Sequence, residues 1–262
     1  MKRITILMGV YNCANTLQEA LDSLYAQTYQ GFKVILCDDG STDDTLKIAE
    51  SNASMHNNVI VIKNDKNMGL NFTLNHCLEY ADTEYIARMD GDDICVPTRL
   101  ERELKFLDEH PTYSVVSTPM IYFDDEGEFR IGKGHGEVAK DSFVKGTPIC
   151  HAPCMARTMA IKNVGGYTVD NRLMRVEDYH LWFKMYAAGH KSYILSEPLY
   201  KMRDDRNAYK RRNWNNRKNE MYVKYIGFKM IGVKWYKWIY ILRPLFLFLL
   251  PSFIYSYLHK NR

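Results

Sequence analysis

The chain has 262 residues, of which 46% are hydrophobic, 13% aromatic and 25% charged. That mixture excludes a disordered chain, a collagen-like repeat and a small disulfide-stapled domain, while the length allows one large core or two modest ones. The net charge of +4 is uneven: residues 201–262 hold fifteen Lys and Arg against three acids, a net of +12, which leaves −8 on residues 1–200.

The first twelve residues have a basic start and a short apolar run at 4–8 ending at Gly9. Without a long hydrophobic segment or a small-residue cleavage site, they are expected to form a first strand, not a signal peptide. Asn15 and Gln18 have the spacing of a capping box, followed by a helical stripe of Leu17, Ala20, Leu21 and Leu24. Val34 to Cys37 predicts a second strand, and Ser41 and Thr42 precede a helix over about 43–52. Val59 to Ile62 is a third strand. Leu70, Leu74, Cys77 and Leu78 stripe a further helix, and Tyr85 to Ala87 is a fourth strand stopped by Asp90-Gly91. This alternation predicts an α/β fold with a mostly parallel sheet covered on both faces. Beyond 98, Leu100, Leu104 and Leu107 mark a helix ending near His110-Pro111. Strands are expected at 113–117 and 120–123, a Gly-rich loop at 127–136, and a helix over 176–188 closed by Gly189. The six cysteines (13, 37, 77, 95, 150 and 154) lack a disulfide framework and sit largely in apolar runs. Buried free thiols and a reducing cytoplasm are expected.

In such sheets ligands bind beyond the carboxyl ends of the strands. The residues there are Tyr11-Asn12, Asp38-Asp39, Asn67-Met68-Gly69 and Asp90-Gly91-Asp92-Asp93. Carboxylates so gathered repel one another unless a cation or ligand donors offset them. Asp-x-Asp suits a hard ion, Mn²⁺ or Mg²⁺, completed by phosphates and water. Neither a Gly-x-Gly-x-x-Gly nor a P-loop signature is present, which disfavours a dinucleotide dehydrogenase or P-loop NTPase. His151 lies between Cys150 and Cys154, but the second ligand pair of a structural zinc is not visible.

Five segments together resemble the family-2 inverting glycosyltransferases, which have the GT-A fold. They are Thr-Ile-Leu-Met-Gly-Val-Tyr-Asn (5–12), Cys-Asp-Asp-Gly-Ser-Thr-Asp-Asp-Thr (37–45), Asn-Met-Gly-Leu-Asn (67–71), Ile-Ala-Arg-Met-Asp-Gly-Asp-Asp (86–93) and Glu-Asp-Tyr-His-Leu-Trp (177–182). The resemblance covers about 3–200 and implies roles position by position. Tyr11 would stack near the base and Asp39 would bond its polar edge, with Asp38 beside it and Asn67 on the donor side. Asp90 and Asp92 would form the metal motif, Asp92 as direct ligand, and Asp93 would serve ribose or metal. Asp178 would be the general base, supported by Glu177. His151 is similar to an acceptor-side histidine, and Arg203 resembles an arginine near the diphosphate.

These roles imply domains at 1–200 (donor half 1–97, acceptor half 98–200) and a tail at 201–262. The tail interleaves aromatics with Lys210, Arg211, Arg212, Arg217 and Lys218, then runs apolar over 244–258. Fifteen residues with prolines are too few for a transmembrane helix, which needs about 20. Peripheral attachment to an anionic membrane surface is expected, with helices docked on the body as the alternative. The apolar run argues against nucleic acid. The resulting expectation is a cytoplasmic-face transferase moving sugar from a nucleotide-sugar, a UDP-sugar, to a lipid-linked saccharide acceptor. The rivals are a membrane-associated binding protein on a degenerate transferase fold and a metal-dependent nucleotidyltransferase.

Overall fold

The computed structural model describes residues 2–204 and 213–249. Lys210, Arg211, Arg212 and the apolar run beyond 249 lie outside the described residues. Strands β1 (Ile4–Val10), β2 (Phe32–Asp38), β3 (Val59–Lys63) and β4 (Tyr85–Arg88) run parallel in the spatial order β3-β2-β1-β4. Each is followed or preceded by a crossover helix: α1 (Leu17–Tyr25), α2 (Thr45–Met55) and α3 (Leu70–Glu79). Successive residues of a strand face opposite sides. Along β1 and β2, Leu7, Ile35 and Cys37 enter one apolar cluster with Leu74, Cys77 and Leu78 of α3. Ile6, Met8, Val34 and Leu36 enter another, with Leu17, Ala20, Leu21 and Leu24 of α1. Burial on both faces is why these strands read as unbroken apolar runs.

The second half departs from simple alternation. After α4 (Arg99–Glu109), the sheet continues with β6 (Tyr113–Ser117), but β10 (Met155–Arg157) lies between β4 and β6, antiparallel to both. The edge is completed by β11 (Lys191–Ile194), parallel to β6, and the two-residue β9 (Gly136–Glu137). A second, four-stranded sheet has the order β5 (Ile94–Cys95), β12 (Tyr200–Arg203), β7 (Met120–Asp124), β8 (Gly127–Ile131). The stretch expected to be a loop at 127–136 therefore contains β8, which closes a hairpin on β7. The expected capping box does not form either. Helix α1 begins at Leu17 without a side-chain cap, and Gln18 Nε2 donates instead to Asp22 at 2.8 Å within the helix.

After the short α5 (Thr158–Asn163), helix α6 (Glu177–Ala187) closes the first cluster, and α7 (Trp214–Ile231) packs across it. Val223, Phe228 and Ile231 of α7 are buried with Phe183 and Met185 of α6. Packing therefore continues through residue 231 without a break at 200. Gly227 permits this crossing: a Cβ there would stand 2.2 Å from the Phe183 ring. A helical segment follows, a 3-10 turn at Trp235–Leu242 continuing into α8 (Arg243–Leu249). No helix among the described residues is long and apolar enough to cross a membrane. All six cysteines are free, four of them buried.

Candidate active site

The carboxyl ends of β1 and β2 are laced together by side chains. Asn12 N donates to Ser41 Oγ, and Thr42 N donates to Asn12 Oδ1 at 2.9 Å. Cys13 N donates to Thr45 Oγ1 and Ala14 N to Asp43 Oδ2. Gly40, at φ +70°, lets the turn after β2 pass within van der Waals contact of Lys66; a Cβ there would sit 2.6 Å from its backbone. Asp39 is 4% exposed and accepts three bonds: Asn64 Nδ2 (2.7 Å), Met68 N (2.9 Å) and Gly69 N (2.9 Å). It thereby clamps the 67–69 segment, where α3 begins, against the end of β2. Asp38 is buried too. One of its oxygens accepts from Ser41 N, while the other, Oδ1, has no partner. Such an orphaned buried acceptor is uncommon and calls for a donor from elsewhere.

Beside this clamp lies a cleft of about 440 Å³. Tyr11, Asp39, Asn67, Arg175 and Glu177 line it, and Tyr11 is 46% exposed. A second cavity of about 330 Å³ is lined by Asp178, Gly146, Thr147 and Arg175 on one side and Asn216, Arg217 and Glu220 of α7 on the other. The consecutive acids at the start of α6 thus open into neighbouring cavities, with Arg175 common to both. Arg175 holds φ +67°, a strained conformation for a non-glycine residue. Asp178 is half-buried, and its pKa is pushed up to about 7, by burial first and the Glu177 charge second; backbone N–H groups at the helix start and Arg88 oppose the rise. Burial likewise raises Glu177.

The Asp90–Asp93 loop is fixed from beneath. Arg88, 2% exposed, reaches Asp90 Oδ1 at 2.5 Å and donates to the Met89 carbonyl. Asp93 is buried; its Oδ1 accepts from Arg203 N at 2.8 Å. Its carboxyl rises to about 8, through burial first and then through Asp90 and Asp92. Asp92 is the exposed member of the set, and desolvation and Asp90 raise it. With Asp90 held by Arg88 and Asp93 turned inward, Asp92 presents the open carboxylate. No group of three or more His, Cys, Asp or Glu among the described residues is gathered closely enough to hold a metal alone.

Arg203 lies on this loop and not at the Asp178 cavity. Its Nε donates to the Asp92 carbonyl at 3.1 Å, and its guanidinium pairs with Glu19 at 2.6 Å. His151 lines neither cavity; Nε2 lies 2.8 Å from the Tyr167 hydroxyl, and the ring meets Trp182 edge-on. Burial lowers its pKa well below the ordinary value, so it stays neutral.

Sequence reasoning missed Asn64, Arg88, Arg175 and the α7 residues. Only Arg88 carried a signal, as a charge inside an apolar strand.

Residues 5–165 match the model of Glycosyl transferase family 2. The chain is 38% identical over 262 residues to "Putative glycosyltransferase EpsE" of Bacillus subtilis (strain 168), covering 99% of this chain and 94% of that one. It is 29% identical over 223 residues (83% and 82% of the two chains) to "Amylovoran biosynthesis glycosyltransferase AmsE" of Erwinia amylovora. It is 28% identical over 192 residues (73% of each) to "UDP-Glc:alpha-D-GlcNAc-diphosphoundecaprenol beta-1,3-glucosyltransferase WfaP" of Escherichia coli. Among solved structures, S. aureus TarS 1–349 in complex with UDP-GlcNAc superposes with TM-score 0.66 at 21% identity, over 95% of this chain and 82% of that one. Mannosyltransferase PcManGT from Pyrobaculum calidifontis, in complex with GDP-Man and Mn²⁺, gives TM-score 0.63 at 19% identity, over 99% and 79%. Both likenesses concern the fold.

Proposed function

The chain belongs to glycosyltransferase family 2, and from that membership we propose that it moves a sugar, with inversion, from a UDP-sugar to a hydroxyl of a lipid-linked saccharide in surface-polysaccharide synthesis. The observation that carries this reading is the adjacency of the two cavities across Glu177-Asp178. A donor in the cleft of Tyr11, Asp39 and Asn67 would meet, next door, a carboxylate whose pKa near 7 suits a general base.

In this mechanism Tyr11 offers an exposed ring to the base. Asp39 shapes the wall through the 67–69 segment and keeps a lone pair for the base edge, and the orphaned Asp38 Oδ1 awaits a second donor. Asp178 takes the proton of the acceptor hydroxyl as that oxygen attacks the anomeric carbon from the face opposite the leaving diphosphate. Glu177 and Arg175 border both reactants.

The donor set fits a partial cation site. Asp92 would hold Mn²⁺ or Mg²⁺, with Asp90 behind it and phosphate oxygens and water completing the shell. When bound, such an ion supplies Lewis-acid stabilisation to the leaving diphosphate. PcManGT with GDP-Man and Mn²⁺ supports divalent-metal use, TarS with UDP-GlcNAc supports a UDP-sugar, and the name of WfaP supports a diphospholipid acceptor. The basic segment 201–262 would bring the enzyme to the cytoplasmic face of an anionic membrane.

The test is nucleoside diphosphate release from a panel of sugar nucleotides with Mn²⁺, Mg²⁺ or EDTA. Metal-dependent UDP release from one donor, reduced at least 100-fold in Asp92→Ala, is expected. Pyrophosphate release would identify a nucleotidyltransferase. Neither release nor nucleotide binding would leave a binding protein on this fold.

A further inference from the structure

The segment 235–249 is apolar on both sides. Trp238 and Ile241 pack inward on the core, and Pro244 is buried. Outward, large apolar residues recur every three or four positions: Trp235 (84% exposed), Ile239 (61%), Leu242 (41%), Phe246 (58%) and Leu249 (68%). Ile239 and Phe246 border a groove of about 270 Å³ whose remaining lining is Tyr240, Arg243 and Leu247. A helix with apolar residues all round is normally covered, and a contiguous exposed patch of this kind marks an interaction surface. The charge around it selects the partner. Residues 213–249 carry seven Lys and Arg against the single acid Glu220, with Lys234 and Arg243 inside or beside the apolar segment and Lys237 paired with Asp141 of the body at 2.7 Å. Aromatic and aliphatic tips flanked by cations suit the headgroup–acyl boundary of an anionic bilayer.

The same segment is tied to the Asp178 cavity. The Lys145 carbonyl accepts from Arg243 Nη1 at 2.9 Å and from buried Lys224 Nζ at 3.4 Å. The next two residues, Gly146 and Thr147, line that cavity. Arg243 therefore touches the apolar groove on one side and the wall of the cavity on the other.

We propose that 235–249 is a single-leaflet insertion surface for anionic membrane, and that Arg243 transmits its seating to the 145–147 wall of the Asp178 cavity. This deepens the transferase reading and rests on it: a lipid-linked acceptor would enter its cavity from the surface on which the enzyme sits.

The test uses the full-length chain and vesicles of 30% phosphatidylglycerol in phosphatidylcholine, with pure phosphatidylcholine as control. Sedimentation with the anionic vesicles is expected, with a blue shift of Trp fluorescence. The double variant Ile239→Glu/Phe246→Glu should lose at least tenfold in partitioning while its thermal midpoint and vesicle-free UDP-sugar hydrolysis stay unchanged. Hydrogen exchange at 145–147 should slow on vesicle binding in the wild type and not in Arg243→Gln. A wild type that stays in the supernatant overturns the surface, whether a second copy or residues 250–262 cover it. Equal binding by the double-Glu variant overturns it as well. Unchanged exchange at 145–147 in vesicle-bound wild type overturns the coupling. Absence of UDP-sugar hydrolysis would strike the transferase reading instead, and it is scored separately from vesicle binding.

Discussion

Asp178 is costly to keep ionised. Its carboxyl rises from the ordinary 3.8 to about 7, mainly because burial disfavours the charge. The native chain therefore binds the extra proton between those values. The contribution of this group to stability is complete below the window and declines as pH climbs through it. Asp178→Asn removes the effect. Relative to wild type, the variant should gain about 1–2 kcal/mol at pH 8 and almost nothing at pH 4, read from denaturant midpoints at the two pH values. Transfer should behave oppositely: kcat in the wild type rises with pH to a plateau above about 7, and Asp178→Asn loses on the order of 10²–10⁴-fold at that plateau. A wild-type profile flat from pH 5 to 9 would remove Asp178 from the role of base. Asp39 makes a contrasting case. Asp39→Ala would orphan three donors, those of Asn64, Met68 and Gly69. Roughly 3 kcal/mol of lost stability is expected, together with weaker UDP binding by calorimetry. The acids of both loops were legible because carboxylates straight after buried strands have few bland explanations. Their supports were not. Asn64 lies 25 residues from Asp39 in sequence, and Arg175 is recognisable only by where its backbone bend places it.

At the level of elements, the α6–α7 crossing depends on one missing methyl group. Gly227 sits mid-helix, where glycine costs about 1 kcal/mol relative to alanine. Here that preference reverses, because the added Cβ would strike the Phe183 ring. Gly227→Ala should destabilise by about 2–3 kcal/mol as α7 is displaced. It should also weaken acceptor use more than donor hydrolysis, since Asn216, Arg217 and Glu220 ride on the same helix. Equal melting temperatures for variant and wild type would contradict this account. Helices α1, α3 and α4 followed from apolar stripes long enough to register, and the first four strands from short continuous apolar runs. Strands β5, β9 and β10 have two or three residues each, too short to establish a period. The hairpin strand β8, Gly-Glu-Phe-Arg-Ile, pairs at a sheet edge and leaves Gly127, Glu128 and Ile131 exposed, so its composition resembled a loop. Helix α7 was obscured by its charge: a basic surface concealed the narrow line of Val223, Phe228 and Ile231 that joins the core.

At the scale of the molecule, the charge division and the packing division do not coincide. Residues 201–262 carry +12 against −8 for the remainder, yet α7 shares its apolar cluster with α3, α6 and the central sheet. Helix α7 is thus part of the catalytic body's frame, and attraction of its cations to an anionic surface would act on that frame directly. Such attraction is screened over about 8 Å at physiological ionic strength, so vesicle binding should weaken severalfold between 0.1 and 0.5 M salt. Salt-independent binding would leave the apolar residues acting alone. The sheet order bears also on synthesis. Strand β4 finishes at residue 88, but its outer neighbour β10 begins only at residue 155. While the ribosome adds the intervening residues, the nascent parallel half presents an unpaired strand edge, the kind that recruits other chains. The late antiparallel strand is therefore a cap as well as a connector: its arrival covers the β4 side of the growing sheet and leaves β3 as the edge on the other.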